Sequence, residues 1–98
     1  MPVLSAEEVH EKLKLLHGWK LVQGEIVRET TFKGFVVAMN FVNQVAQKAE
    51  AAGHHPDIDI RYNKVRLALT SHDAGGLTQR DFDMAAAIEA ILAANAKP

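Results

Sequence analysis

Two short runs in the second half of the chain alternate between apolar and polar positions. Asp57-Ile58-Asp59-Ile60-Arg61-Tyr62 does so, and Val65-Arg66-Leu67-Ala68-Leu69-Thr70 does the same. Period-two alternation marks half-buried strands. Only Asn63-Lys64 separates the runs, and asparagine tolerates the left-handed backbone of a two-residue turn, so a β-hairpin is predicted. That turn pairs Tyr62 with Val65, Ile60 with Leu67 and Ile58 with Leu69, all on one face, as a single buried face requires. Carried further, the register sets Ser71 opposite Pro56 and His72 opposite His55, with Cβ atoms ~5 Å apart.

Elsewhere the periodicity is helical. Ser5-Ala6-Glu7-Glu8 is a capping box, with Leu4 and Val9 placed as a hydrophobic staple. A first helix should follow, bury Val9, Leu13 and Leu16, and stop near Gly18. Residues 19–22 and 26–32 read as two strands joined through Gln23-Gly24-Glu25. From Phe35 to Ala52 apolar residues recur at helical spacing: Phe35, Ala38, Phe41, Val42, Val45, Ala49 and Ala52. Gly53 suits the left-handed position after a helix, and Pro56 blocks continuation. Ala74-Gly75-Gly76 reads as a loop. Thr78-Gln79-Arg80-Asp81 is a second capping box, opening a last helix that offers Met84, Ile88, Ile91 and Leu92 to a core.

The predicted order is therefore α-β-β-α-β-β-α. Asp59, Arg61 and Arg66 fall on the hairpin face opposite the aliphatic one, which suggests a sheet covered on one side only. The fold class is α+β: a four-stranded, mostly antiparallel sheet with three helices on one face, residues 1–98 forming a single domain.

Composition narrows the function. At 98 residues one small core is expected, and self-association would help a domain of this size. A net charge of −1 gives no electrostatic reason to expect nucleic acid. There is no cysteine, so disulfides and thiolate metal sites are excluded. No apolar run approaches a membrane span, and the first residues lack the pattern of a secretory signal. A soluble cytoplasmic protein is the default expectation.

The candidate chemistry is histidine-based. Three of the five histidines, His54, His55 and His72, flank the predicted hairpin, and its register would gather them around one hollow. Imidazole is the side chain suited to proton transfer near neutrality. Glu50 lies one helical turn before His54, and it and the helix C-terminus would both favour an imidazolium there. A metal site fits less well: the spacing is not that of H-E-x-x-H, and neighbouring histidines on extended backbone point to opposite sides. Solvated surface roles suit His10 and His17, and Trp19 reads as core or rim. Asp81 reads as the capping partner of Thr78 before it reads as a catalyst. Gly75-Gly76 reads as a plain turn, and no G-x-S-x-G elbow supports a serine nucleophile.

These residues resemble the pterin-4a-carbinolamine dehydratases. The family signature is similar to Glu50, His54-His55-Pro56, Tyr62, His72 and Asp81 as they stand here, and likeness extends through Leu4-Ser5-Ala6-Glu7-Glu8, Gly18-Trp19, Tyr62-Asn63-Lys64-Val65, Thr70-Ser71-His72 and Gly76-Leu77-Thr78. Gly53 departs from the aspartate of animal members, and Ile58 stands close to where they carry tryptophan.

The resemblance implies dehydration of a 4a-hydroxytetrahydropterin to the quinonoid dihydropterin, in tetrahydrobiopterin recycling. An acid protonates the departing C4a hydroxyl, the N5 lone pair expels it, and a base removes the N5 proton. No cofactor or metal is implied. By resemblance, His54 and His72 are alternative general acids for opposite C4a epimers, His55 binds the pterin, and Glu50 orients the histidines. Gly53, His54, His55, Thr70, Ser71, His72 and Asp73 line the pocket. A homo-oligomer, dimer or tetramer, is expected by resemblance alone. The alternative it carries is an interaction module, since some relatives are dimerisation cofactors of a transcription factor or assembly helpers.

Overall fold

Ser5 opens the first helix through both halves of its capping box. Its hydroxyl accepts from Glu8 N at 3.1 Å, and Glu8 Oε1 accepts from Ser5 N at 2.9 Å. In the computed structural model, which describes residues 2–95, this helix α1 spans Ala6–Leu13. It ends earlier than the sequence pattern predicts. Leu15 N and Leu16 N bond back three residues, to Lys12 O and Leu13 O, so a tighter turn carries the chain to Gly18. The apolar stripe survives: Val9 is buried, and Leu13 and Leu16 pack partly against the core.

Strands β1 (Trp19–Val22) and β2 (Glu25–Thr31) follow, then helix α2 (Phe35–Ala52), strands β3 (Asp57–Arg61) and β4 (Lys64–Leu69), and helix α3 (Gln79–Asn95). The sheet order is β1-β2-β4-β3, with every neighbouring pair antiparallel. The alternating β4 residues Val65, Leu67 and Leu69 face the helices and are fully buried, as are Ile26 of β2, Phe41 and Val45 of α2, and Ile88 of α3. Each such side chain contributes ~1.5–3 kcal/mol of burial. On the opposite face Glu29, Asp59, Arg61, Lys64 and Arg66 line a shallow polar hollow. The one-sided sandwich is thus as the pattern implied. Among the described residues no helix is long and apolar enough to cross a membrane.

The hairpin forms two residues out of the predicted register. Its turn is Tyr62-Asn63, so Ile58 faces Leu67 and Ile60 faces Val65. The cause lies outside the hairpin. Asn63 is claimed by the end of β2: its carbonyl accepts from Phe32 N and its side-chain amide donates to Phe32 O, both at 2.8 Å. Lys64 is likewise paired with both Thr31 and Arg61. Tyr62 then takes the left-handed backbone, at φ 55°. A slip of two preserves which face each residue occupies, so the apolar face is intact. The opposition of His72 to His55, however, does not form.

Candidate functional site

The site is built where the end of α2, the loop after β4 and the start of α3 meet. Gly53 ends α2 at φ 65°, its N–H bonding to Ala49 O and Glu50 O. That left-handed step turns the next side chain, His54, inward, where it is buried. Its Nε2 lies 2.6 Å from Asp81 Oδ1. Asp81 is wholly buried, and its other oxygen accepts from Ser71 Oγ and from Thr78 N, each at 2.9 Å. Asp81 therefore serves two purposes at once, capping α3 and holding the imidazole. Only half of the expected second capping box forms, because the Thr78 hydroxyl bonds Ser71 Oγ at 2.8 Å.

Glu50 pairs with His55, at 2.8 Å from Nε2, and not with His54 as the helical spacing suggested. The turn at Gly53 swings His54 off the α2 face that carries Glu50 and brings His55 alongside. This pair is exposed, with side chains 62% and 83% accessible, so its value is in orientation rather than stability.

His72 belongs to a third group. Alternation along β4 directs Leu69 and Ser71 toward the helices and Thr70 and His72 toward the open face. There the ligand atoms of His72, Glu25 and Asp57 lie within 4.8 Å of one another. Among the described residues, this trio, drawn from two strand starts and a loop, is close enough together to hold a cation. His72 and Thr70 line a hollow of about 390 Å³, bordered by Gly24, Glu25 and Gly75. His54 lines a different hollow of about 340 Å³ on the helix side, together with Lys48, Arg80 and Asp83. Both volumes suit small molecules, for which pockets run ~300–1,000 Å³. The predicted gathering of imidazoles around one hollow is replaced by two hollows. Between them runs the chain of hydrogen bonds His54–Asp81–Ser71, with His72 the next residue along.

Asp73 meets Arg80 at 3.3 Å. Desolvation is the largest single influence and would raise its carboxyl, but the guanidinium, by charge and hydrogen bond, and the local backbone N–H groups together bring it below the ordinary value. Arg80 also donates to Gly53 O at 3.3 Å and to His54 Nδ1 at 3.2 Å. Among the sequence candidates, Gly53, His54, Ser71 and Asp73 are thereby linked through Asp81 and Arg80. His55 and Glu50 form a separate exposed pair, and Thr70 and His72 stand on the far face.

Sequence reasoning gave too little weight to four residues. Asp81 looked like a capping residue and is one, which hid its hold on His54. Arg80 had no local signal. Glu25 and Asp57 begin strands, and only the β2–β4–β3 order brings them to His72. The parity of β4 was the available clue, since it sends Ser71 and His72 to opposite faces.

The chain is thus an α+β sandwich in which His54, His55 and His72 each stand beside a carboxylate. Residues 2–91 match the family model of pterin 4 alpha carbinolamine dehydratase, and the chain belongs to that family. It is 63% identical over 92 residues to a protein of Acidobacterium capsulatum that is named, provisionally, for the same dehydratase; the match covers 94% of this chain and all (100%) of that one. A similarly named protein of Nostoc punctiforme is 51% identical, over 91% of this chain and 96% of its own length. Among solved structures, the chain is similar to one described as a transcriptional coactivator/pterin dehydratase from Brucella melitensis, with a TM-score of 0.87, 37% identity, and coverage of 91% and 97% of the two chains. Another, described as a pterin dehydratase-like RuBisCO assembly factor of the alpha-carboxysome, shares the fold at a TM-score of 0.65 and 20% identity, over 76% and 89% of the two chains.

Proposed function

We propose that this protein dehydrates a 4a-hydroxytetrahydropterin, with His54 and His72 as the groups that move protons. The C4a–O bond breaks as the hydroxyl receives a proton and leaves as water; the N5 lone pair forms the C4a=N5 bond, and the N5 proton passes to a base. The two C4a epimers carry their hydroxyl on opposite faces of the ring, which asks for an acid at each of two places, His54 for one epimer and His72 for the other. The observation that carries this reading is that His54 and His72 stand at separate hollows beside a common Ser71–Asp81 link, each against carboxylate. His55, held by Glu50, binds the pterin ring, and Gly53, Thr70, Ser71 and Asp73 line the approach. Nothing in these steps transfers electrons to an acceptor, so no redox cofactor is called for. A homo-oligomer, dimer or tetramer, in the cytoplasm goes with this reading.

The test is turnover of a freshly generated 4a-hydroxytetrahydropterin by the purified protein, followed as appearance of the quinonoid dihydropterin. Acceleration well above the uncatalysed rate supports the proposal; a folded protein with no acceleration defeats it.

A second reading, an interaction module without turnover, draws on the exposed apolar residues that open α2: Phe35, Val36 and Val37 are 50%, 70% and 36% accessible. The coactivator description of the Brucella melitensis relative favours it in the same direction. An inert protein that nevertheless binds a partner through this helix would be its signature.

A further inference from the structure

We propose that Glu25, Asp57 and His72 form a site for a divalent cation of the zinc class, and that an ion seated there takes His72 out of proton transfer. The site stands on geometry and donor chemistry; its effect on turnover rests on the dehydratase reading.

Three separate elements supply the donors. Glu25 opens β2, Asp57 opens β3, and His72 lies in the loop after β4. Antiparallel pairing brings both strand starts to the end of β4 from which His72 emerges, with Ile26 facing Leu69 and Asp57 facing Ala68. Ala68 offers only a methyl group there, so the carboxylates of β2 and β3 approach each other across β4. The ligand atoms of all three residues lie within 4.8 Å of one another.

Two carboxylates this close repel unless a positive charge joins them. The ion pairs among the described residues leave both Glu25 and Asp57 out, although neighbouring Asp59 and Asp73 each have an arginine. A divalent ion would cancel both charges at once. Two carboxylates and one imidazole suit zinc and its neighbours, whereas magnesium and calcium prefer oxygen alone. Zinc holds its donors at ~2.0–2.2 Å, so a tetrahedral site needs them ~3.3–3.6 Å apart. Asp57 and His72 are exposed and have room to rotate through the difference, while Glu25 is half-buried and anchors the set. Glu25 and His72 border the hollow of about 390 Å³, which leaves the fourth position open to water. A ring nitrogen whose lone pair is given to an ion carries no proton for a substrate.

Titration of the full chain with zinc chloride, followed by calorimetry and imidazole ¹⁵N spectra, tests this. A single equivalent should bind and move the His72 resonances before those of His54 or His55. Glu25→Gln and Asp57→Asn keep the side-chain shape and remove one anionic ligand each. Both should weaken binding at least ~10-fold, since even outer partners of metal ligands are worth ~10–100-fold. Zinc should slow dehydration of the C4a epimer served by His72, with half the effect at the concentration that half-fills the site. The other epimer should be affected far less. Each variant, compared with its own zinc-free rate, should need correspondingly more zinc. Binding that spares His72, or that survives both substitutions unweakened, overturns the proposal, as does a filled site that slows neither epimer in an active protein. The spectra need no turnover: an inert protein whose His72 binds zinc refutes the dehydratase reading and leaves the site standing. An active protein indifferent to zinc does the reverse.

Discussion

Ser71 and His72 are consecutive, yet they serve opposite faces of the sheet. Ser71 Oγ donates to buried Asp81 at 2.9 Å on the helix side, while His72 joins Glu25 and Asp57 on the open side. The two residues therefore fail differently when changed. His72 is exposed. His72→Ala should leave stability within ~0.5 kcal/mol, as for surface positions generally. The same variant should lose ~10²–10⁴ in kcat for one C4a epimer, the usual worth of a general acid, and less for the other. Parallel urea melts and dehydratase assays check this; a large stability loss, or full retained activity, contradicts it.

Asp81→Ala should be the most damaging polar substitution for the fold. It strands three donors in the interior: Ser71 Oγ–H, Thr78 N–H and His54 Nε2–H. Each orphaned buried group costs ~1–3 kcal/mol, so a combined loss of about 3 kcal/mol or more is expected in urea denaturation. Asp81→Asn, which keeps one acceptor oxygen, should lose less. If the two variants prove equally stable, the hydrogen-bond network is not what holds this corner.

The α1 cap should respond to acid. Glu8 accepts from the Ser5 backbone N–H and is hydrogen-bonded to the Ser5 side chain, and these contacts, helped by Lys12 against slight desolvation, hold its carboxyl below 4.5. A carboxyl with a lower pKa in the folded state stabilises that state above its unfolded value, and the contribution disappears as pH falls through the folded value. Amide exchange in the first turn of α1 should therefore quicken as pH drops below 4.5, after correction for intrinsic rates. Glu8→Gln, which keeps an acceptor but no titration, should abolish that dependence.

Trp19 gives an optical check on the packing of α3 against the sheet. Its indole N–H donates to Glu89 Oε2 at 2.8 Å, and Arg28 Nε donates to the same oxygen at 3.0 Å. Glu89→Ala leaves the N–H of a buried indole without its partner, at a cost of ~1–3 kcal/mol. Because Trp19 is the sole tryptophan, its emission should shift in that variant. Unchanged emission together with unchanged stability would show that this bond contributes nothing measurable.

Most of the architecture was legible in the chain, because its signals are local. The capping box at Ser5 forms in full, α2 spans the stretch its periodicity marked, and Gly53 takes the left-handed step that its position suggested. The hairpin register was not legible, since Asn63 fits the first place of a two-residue turn as well as the second. Its choice is made by Phe32, which is 31 residues away and takes both the Asn63 carbonyl and its side-chain amide. The pairing of Glu50 was misread for a related reason: helical spacing assigned it to His54, but the helix ends between them.

By itself the sequence determined the number, type and order of the elements and the identity of the signature histidines, since periodicity, caps and motif spacing act within a few residues. Tertiary structure alone decided which carboxylate each imidazole meets. Asp81, Glu25 and Asp57 reach their histidines only after strands pair and helices pack, and no spacing along the chain encodes those distances. The physical reason is that a hydrogen bond is specific within tenths of an ångström, whereas a sequence pattern fixes only a face.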